Sequence, residues 1–258
     1  MNKGVRINKF ISETGLCSRR EADKLISACR VTINGISADH GSKVVNEDIV
    51  LVDGGKLRER PEKVYLAYNK PAGIVCTTDR SVRNNILDAL DFPETVFTVG
   101  RLDKASTGLI FLTNDGDIVN RILRSGNKHE KEYRVTVNKP VDSDFLRSMS
   151  EGVPVLGTIT EKCRVRKTGT SSFIIILTQG LNRQIRRMCE YFGYEVVSLH
   201  RVRIMNVGIS TLKPGKWRHL TYKELRELRD LISLSSNSPA NLSSNDPVSD
   251  DDTQEDFE

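Results

Sequence analysis

The sequence predicts an α+β protein in two folded units: a small helical module with a short hairpin, then a larger domain on a mainly antiparallel sheet. Three observations carry this. From residue 64 onward, β-branched and aromatic runs outnumber helical patterns, without the strand–helix alternation of a parallel sheet. A polar stretch at 54–63, with two glycines and Pro61, separates that region from a compact basic unit at 5–53 and reads as a linker. The chain of 258 residues is also long for one compact core.

In the small unit, 8–14 reads as a short helix. Ser18 followed by Glu21 is a capping box, in which each side chain satisfies the other's orphan amide at a helix start. Ala22, Leu25, Ile26 and Cys29 then fall at i, i+3, i+4, i+7, a stripe predicted to be buried. Arg19, Arg20 and Lys24 lie off that stripe. Val31-Thr32-Ile33, the turn pair Asn34-Gly35, and 48–52 read as short strands.

In the larger region the expected strands are 65–68, 96–99, 109–113, 132–137, 158–165, 172–177 and 195–207. The expected helices are 117–123, 142–151, 183–192 and 221–231. From Ser233 onward the chain is rich in Ser, Asn, Asp and Pro, too poor in large apolar residues to offset its ordering entropy, and is expected to be disordered.

That last segment hides the character of the rest. It holds seven acidic residues and no Lys or Arg, so a net charge of +5 for the chain corresponds to +12 for residues 1–232. A body that basic attracts polyanions, most commonly nucleic acid. No apolar run approaches the roughly 20 residues a bilayer span needs, so no membrane partner is expected. The polar, basic N-terminus is unlike a secretory signal, which points to the cytoplasm. The five cysteines are scattered and the four histidines isolated, so reduced thiols and no metal site are expected.

The segment 97–113 is the most informative. Apolar strands flank a polar loop opened by Gly100 and closed by Gly108, with Asp103 between Arg101 and Lys104. These cations favour the ionised carboxylate, which on a loop between rigid strands serves as nucleophile or base. A salt-bridged turn aspartate is the equally weighted alternative on physics alone. A phosphate-cradling P-loop is excluded, because Gly108 leads into Leu109-Ile110 rather than Lys-Ser/Thr and a helix.

Gly100-Arg101-Leu102-Asp103 with Ser106-Thr107-Gly108-Leu109 resembles the active-site motif of pseudouridine synthases of the RsuA/RluA type. Asn69-Lys70-Pro71-Ala72-Gly73, Lys131-Glu132-Tyr133-Arg134-Val135 and the run from Gln179 to Met188 resemble the family's other motifs, in family order across 64–232. The front unit, through the runs 5–11, 17–23 and 31–35, resembles the small RNA-binding module named after ribosomal protein S-four. Such modules hold structured RNA by shape and phosphate contacts. The runs 127–133 and 181–194 look closest to the RluF branch, which modifies large-subunit ribosomal RNA. The chain departs from that branch at 233–258, which is acidic where the branch carries a basic extension, so the resemblance does not extend to that segment.

The resemblance implies an S-four-like RNA-binding module joined to a pseudouridine synthase domain that isomerises uridine without a cofactor. Asp103 would be the catalytic carboxylate, by covalent attack or by removal of a sugar proton. Tyr133 would stack on the target base and take part in proton transfer. Arg186 would pair with the aspartate, a guanidinium offering two parallel donors to a carboxylate. The target must be everted from its stack, at about a few kcal/mol. Arg19, Arg20 and Lys24 on the module, with Lys70, Arg101, Lys104, Arg183 and Arg187 near the pocket, would grip RNA. The expected partner is structured RNA, bound by a monomer: large-subunit ribosomal RNA, with tRNA or small-subunit RNA as alternatives. The rival from another class is a non-catalytic ribosome-assembly factor.

Overall fold

A computed structural model of the chain describes residues 4–123 and 128–233. The acidic segment expected to be disordered, from 234 onward, and Asn127 lie outside the described residues.

The module comprises β1 (Val5–Arg6), α1 (Ile7–Glu13), α2 (Arg19–Ser27), β2 (Val31–Ile33), β3 (Ile36–Ser37), β4 (Lys43–Val44), β5 (Val50–Val52) and β6 (Gly55–Lys56). The capping box forms as the sequence predicts: Ser18 Oγ accepts from Glu21 N at 3.2 Å, and the Glu21 carboxylate accepts from Ser18 N at 2.7 Å. Asn34 and Gly35, at φ 52° and 82°, make the turn between β2 and β3. Ile7, Ile11, Ala22, Ile26, Val31 and Val50 form its core. Two expectations change. Helix α2 stops at Ser27, so Cys29 sits beyond it at φ 55° and is exposed rather than part of the buried stripe. The glycines read as linker instead close the β5–β6 hairpin, where Val52 pairs with Gly55.

The second unit comprises β7 (Tyr65–Lys70), α3 (Ile86–Leu90), β8 (Phe97–Val99), β9 (Thr107–Thr113), α4 (Gly116–Leu123), β10 (Lys131–Val137), α5 (Ser143–Glu151), β11 (Pro154–Val155), β12 (Thr158–Ile159), β13 (Arg164–Gly169), β14 (Ser172–Leu177), α6 (Gln184–Tyr191), β15 (Val196–Ile204), β16 (Val207–Gly208), β17 (Trp217–His219) and α7 (Tyr222–Ser233). The strand expected over 158–165 divides into β12 and the start of β13. That expected over 195–207 turns back at Met205-Asn206, Met205 having φ 52°. Helix α3, capped by Asn85, and strand β17 carry no clear periodicity and were not anticipated.

Nine strands form one sheet, ordered β13-β14-β10-β15-β9-β7-β17, with β8 on β9 and β16 on β15. Every pairing is antiparallel except β9 with β15, so the mainly antiparallel sheet is as the sequence predicts. Each sheet face is covered. A cluster including Tyr68, Leu112, Tyr133, Phe145, Phe173 and Met188 packs under α3, α5 and α6. A smaller one including Phe111, Ile118, Ile204 and Leu228 packs under α4 and α7. The module touches this unit through Lys9, whose ammonium meets Asp117 of α4 at 2.5 Å, and meets the connecting segment through Glu13, paired with Arg60 at 3.2 Å. Among the described residues no helix is long and apolar enough to cross a membrane.

The parallel pairing of β9 with β15 is short, joining His200 with Thr107 and Arg201 with Gly108. Gly108 has φ 107°, and a Cβ there would lie 2.2 Å from the Arg201 carbonyl oxygen and 2.6 Å from its nitrogen. Backbone cannot yield as a flexible side chain can, so only glycine fits. Gly108→Ala is therefore expected to destabilise the protein by at least about 3 kcal/mol, read as a lower urea midpoint. A midpoint within error of wild type would mean the two strands are not this close.

Candidate active site

The loop from Gly100 to Ser106 emerges between β8 and β9 and is pinned on both sides of Asp103. Leu102 is buried in the larger core, and its amide donates to Cys76 Sγ at 3.4 Å. The Lys104 carbonyl accepts from Gly73 N at 2.8 Å and from Lys70 Nζ at 3.3 Å. Between these anchors the chain turns tightly, Ser106 N donating to the Asp103 carbonyl at 3.0 Å. The aspartate side chain is left one-third exposed, at 33%.

Its partners come from far along the chain. Arg186, on α6, donates from Nε to Asp103 Oδ2 at 3.4 Å. Its Nη2 donates to Ser106 Oγ at 3.3 Å, and Ser106 Oγ donates in turn to the same Asp103 oxygen at 3.3 Å. Arg186 Nη1 is held by the Val196 carbonyl at 3.2 Å. The expected two-donor fork thus becomes one direct contact and one relayed through a fully buried serine. Asp103 contacts are longer than the roughly 2.7–2.9 Å of a tight charged pair, as open catalytic sites often show.

A cleft of about 450 Å³ opens beside this network, in the range of roughly 300–1,000 Å³ typical of small-molecule sites. Asp103, Ser106, Tyr133, Arg101, Arg183, Lys131 and Arg201 line it, with apolar walls from Leu177, Leu181, Leu199 and Ile204. Tyr133 is buried in the main core with part of its surface on the cleft, so it is both core aromatic and site residue. Its hydroxyl accepts from Arg201 Nη1 at 3.5 Å.

The predicted RNA contacts divide. Arg101, Lys104 and Arg183 are exposed, and Arg101 and Arg183 stand on the cleft. Arg183 takes the left-handed conformation, φ 47°, as the residue that starts α6. Arg187 is half-buried, with Nη2 on Asn182 Oδ1 at 3.3 Å. Arg19, Arg20 and Lys24 are exposed on α2, away from the module core. Lys70 is a correction. It is wholly buried, and its ammonium donates to the Pro71 and Lys104 carbonyls at 2.9 and 3.3 Å, so it braces the loop from behind instead of reaching a phosphate. Burial pushes its pKa down.

Three site residues went unassigned by sequence reasoning: Ser106, Lys131 and Arg201. A signal existed for Lys131, since β10 alternates strictly and puts Lys131, Tyr133, Val135 and Val137 on the buried face. Arg201 is 5% exposed, with Nε donating to the Leu109 carbonyl at 2.6 Å. Nothing in its local sequence marks it.

A family model described as RNA pseudouridylate synthase matches residues 64–191, and one described as S4 domain matches 5–51. The chain is 56% identical to the dual-specificity RNA pseudouridine synthase RluF of Salmonella typhi, over 90% of this chain and 81% of that protein. It is 32% identical to the ribosomal large subunit pseudouridine synthase B of Bacillus subtilis, over 90% of this chain and 98% of that one. A pseudouridylate synthase crystal structure superposes with a TM-score of 0.64 at 31% identity, covering 87% of this chain and 99% of its own.

Lys131 gives this site a stability signature. Burial, then the nearby Arg201, pushes its pKa from the ordinary 10.5 down to about 8. Between those values the unfolded chain holds the proton and the folded one does not, so stability rises with pH from about 8 to about 10.5. Below about 8 the penalty of burying the charge is fully present. Lys131→Met should therefore be more stable than wild type at pH 7, by about 2 kcal/mol, with the gain fading toward pH 10. Denaturant titrations at both pH values check this; a variant less stable at pH 7 would show that the ammonium is well compensated.

Proposed function

We propose, for a chain that belongs to the RsuA-type RNA pseudouridine synthases, that it isomerises a uridine of large-subunit ribosomal RNA with Asp103 as the catalytic carboxylate. The observation that carries this is the convergence of Asp103, Ser106 and Arg186 at one end of a cleft that Tyr133 also lines. The ribosomal target is supported by the Bacillus subtilis relative, which is named for the large ribosomal subunit. The dual specificity in the names of the Salmonella and Escherichia coli relatives supports a second class of RNA substrate, for which tRNA is the proposal.

The chemistry asks little beyond positioning and charge. The bond between the ribose C1′ and base N1 breaks with its electron pair on the base. The base turns, C5 bonds to C1′, the C5 proton leaves, and N1 is protonated. Asp103 starts this either by attack on the uridine or by taking a sugar proton. Arg186 and Ser106 fix the carboxylate so that one oxygen is held and the other is open to substrate. Tyr133 offers the everted base a flat apolar surface on the cleft wall. Arg101, Lys104 and Arg183 are placed to hold flanking phosphates, offsetting the unstacking cost of a few kcal/mol.

Asp103→Asn is expected to bind undermodified ribosomal RNA normally while losing at least about 10³-fold in pseudouridine formation. Pseudouridine-specific primer-extension stops read the product; stops at wild-type rate would remove Asp103 from the chemistry. On the module, changing Arg19, Arg20 and Lys24 together to Gln should weaken RNA binding. It should also flatten the slope of log affinity against log salt by about 2, at roughly 0.7–0.9 per lost phosphate contact. An unaltered slope would place that helix face off the RNA.

A further inference from the structure

The cations of the cleft fall into two tiers. Arg101 and Arg183 are exposed, as suits groups that meet hydrated phosphates. Lys131 and Arg201 also line the cleft but are only 8% and 5% exposed. Neither has a carboxylate within salt-bridge distance among the described residues. Lys131 Nζ donates to the Thr178 carbonyl at 3.0 Å, and Arg201 spends Nε on the Leu109 carbonyl and Nη1 on the Tyr133 hydroxyl. Among the described residues, Arg201 Nη2 is buried with no acceptor. Glu161 is near enough to favour the Lys131 charge but does not pair with it. Two adjacent buried cations without a paired carboxylate are costly, and such an arrangement persists where something else gains from it.

Resting on the assignment of this cleft to uridine isomerisation, we infer that Lys131 and Arg201 form a second, anion-stabilising subsite, which holds the pyrimidine while it is detached from the ribose. When C1′–N1 breaks, the base keeps the electron pair, and the charge spreads over N1, O2 and O4. When C5 bonds to C1′ and its proton leaves, N1 regains a proton and the charge is gone. The subsite is thus loaded only during the reaction, the condition under which fixed charge accelerates a step rather than merely binding substrate. Its neighbours fit a flat delocalised anion better than a phosphate. Leu177, Leu199 and Ile204 line the same walls, as does Tyr133, whose ring centroid is 5.9 Å from the Arg201 guanidinium carbon. Lys131 and Tyr133 share the buried face of β10, and Arg201 is directly opposite Tyr133 on β15, so the sheet register itself sets the arrangement.

The test uses full-length protein and large-subunit ribosomal RNA transcribed with either uridine or 5-fluorouridine, whose base is the better leaving group. Lys131→Met should keep RNA affinity within about twofold, yet lose about 10²-fold in the single-turnover rate of C-nucleoside formation on uridine. The fluorinated base has no C5 proton to lose, so on that RNA the step compared is C1′–N1 cleavage; there the deficit of Lys131→Met relative to wild type should shrink by about tenfold, because that base carries its own negative charge more readily. Arg201→Lys, which keeps a cation, should retain more rate than Arg201→Met. A Lys131→Met rate equal to wild type, or the same deficit on both RNAs, overturns the subsite. So does an affinity that falls in step with the rate, which would make Lys131 a phosphate contact. Asp103→Asn run alongside separates the two claims. If it is inert while Lys131→Met is fully active, only the subsite fails; if it is active, the reading of the cleft itself fails.

Discussion

The catalytic half of the molecule is organised by one close backbone crossing, where Gly108 of β9 meets Arg201 of β15. Only two residue pairs make this parallel contact in an otherwise antiparallel sheet. Yet it fixes three things together. It brings the start of β9, and so the loop carrying Asp103, against a strand nearly a hundred residues later. It buries the Arg201 side chain beside Tyr133, where Nε can hold the Leu109 carbonyl. It also places the other end of β15, at Val196, where its carbonyl steadies Arg186. A methyl group at residue 108 would push all of these apart, since its nearest neighbours are main-chain atoms inside a packed sheet.

Much of this was legible in the sequence where local physics decides. The capping box at Ser18 and Glu21, the Asn34-Gly35 turn, the alternation of β10 and the glycine-bounded loop around Asp103 each involve residues close along the chain. What stayed hidden depends on contacts between distant segments. Lys70 resembles any surface cation next to a proline, and only the fold shows that its ammonium is enclosed by the Pro71 and Lys104 carbonyls. Arg201 sits in a strand whose exposure does not alternate cleanly, so its inward direction has no local signature. Gly54 and Gly55 look like linker residues because the same flexibility serves a hairpin turn. The module contacts at Lys9–Asp117 join residues over a hundred positions apart and leave no trace in either neighbourhood.

The bracing of the loop explains how a partly exposed carboxylate can still be well positioned. Lys104 gives its carbonyl to the Gly73 amide and the Lys70 ammonium, and Leu102 is buried in the core. The residue between them therefore has little freedom in its backbone while its side chain faces the cleft. Placement within about 1 Å matters for rate, because misplacement at that scale costs on the order of 10²-fold. Lys70 contributes to this from behind, its ammonium held by the Pro71 and Lys104 carbonyls.

The looseness of the Asp103–Arg186 contact follows the same logic. A short bidentate pair would commit both carboxylate oxygens to the guanidinium, leaving a well-stabilised anion with little reason to react. Here Arg186 divides its donors among Asp103, Ser106 and the Val196 carbonyl, and both of its links to the aspartate converge on Oδ2. The second oxygen takes no part in that network, and a third of the side chain remains open to solvent. The arginine orients the carboxylate without quenching it. Seen this way, the relay through Ser106 is what lets one cation hold a carboxylate in place and leave it available for chemistry.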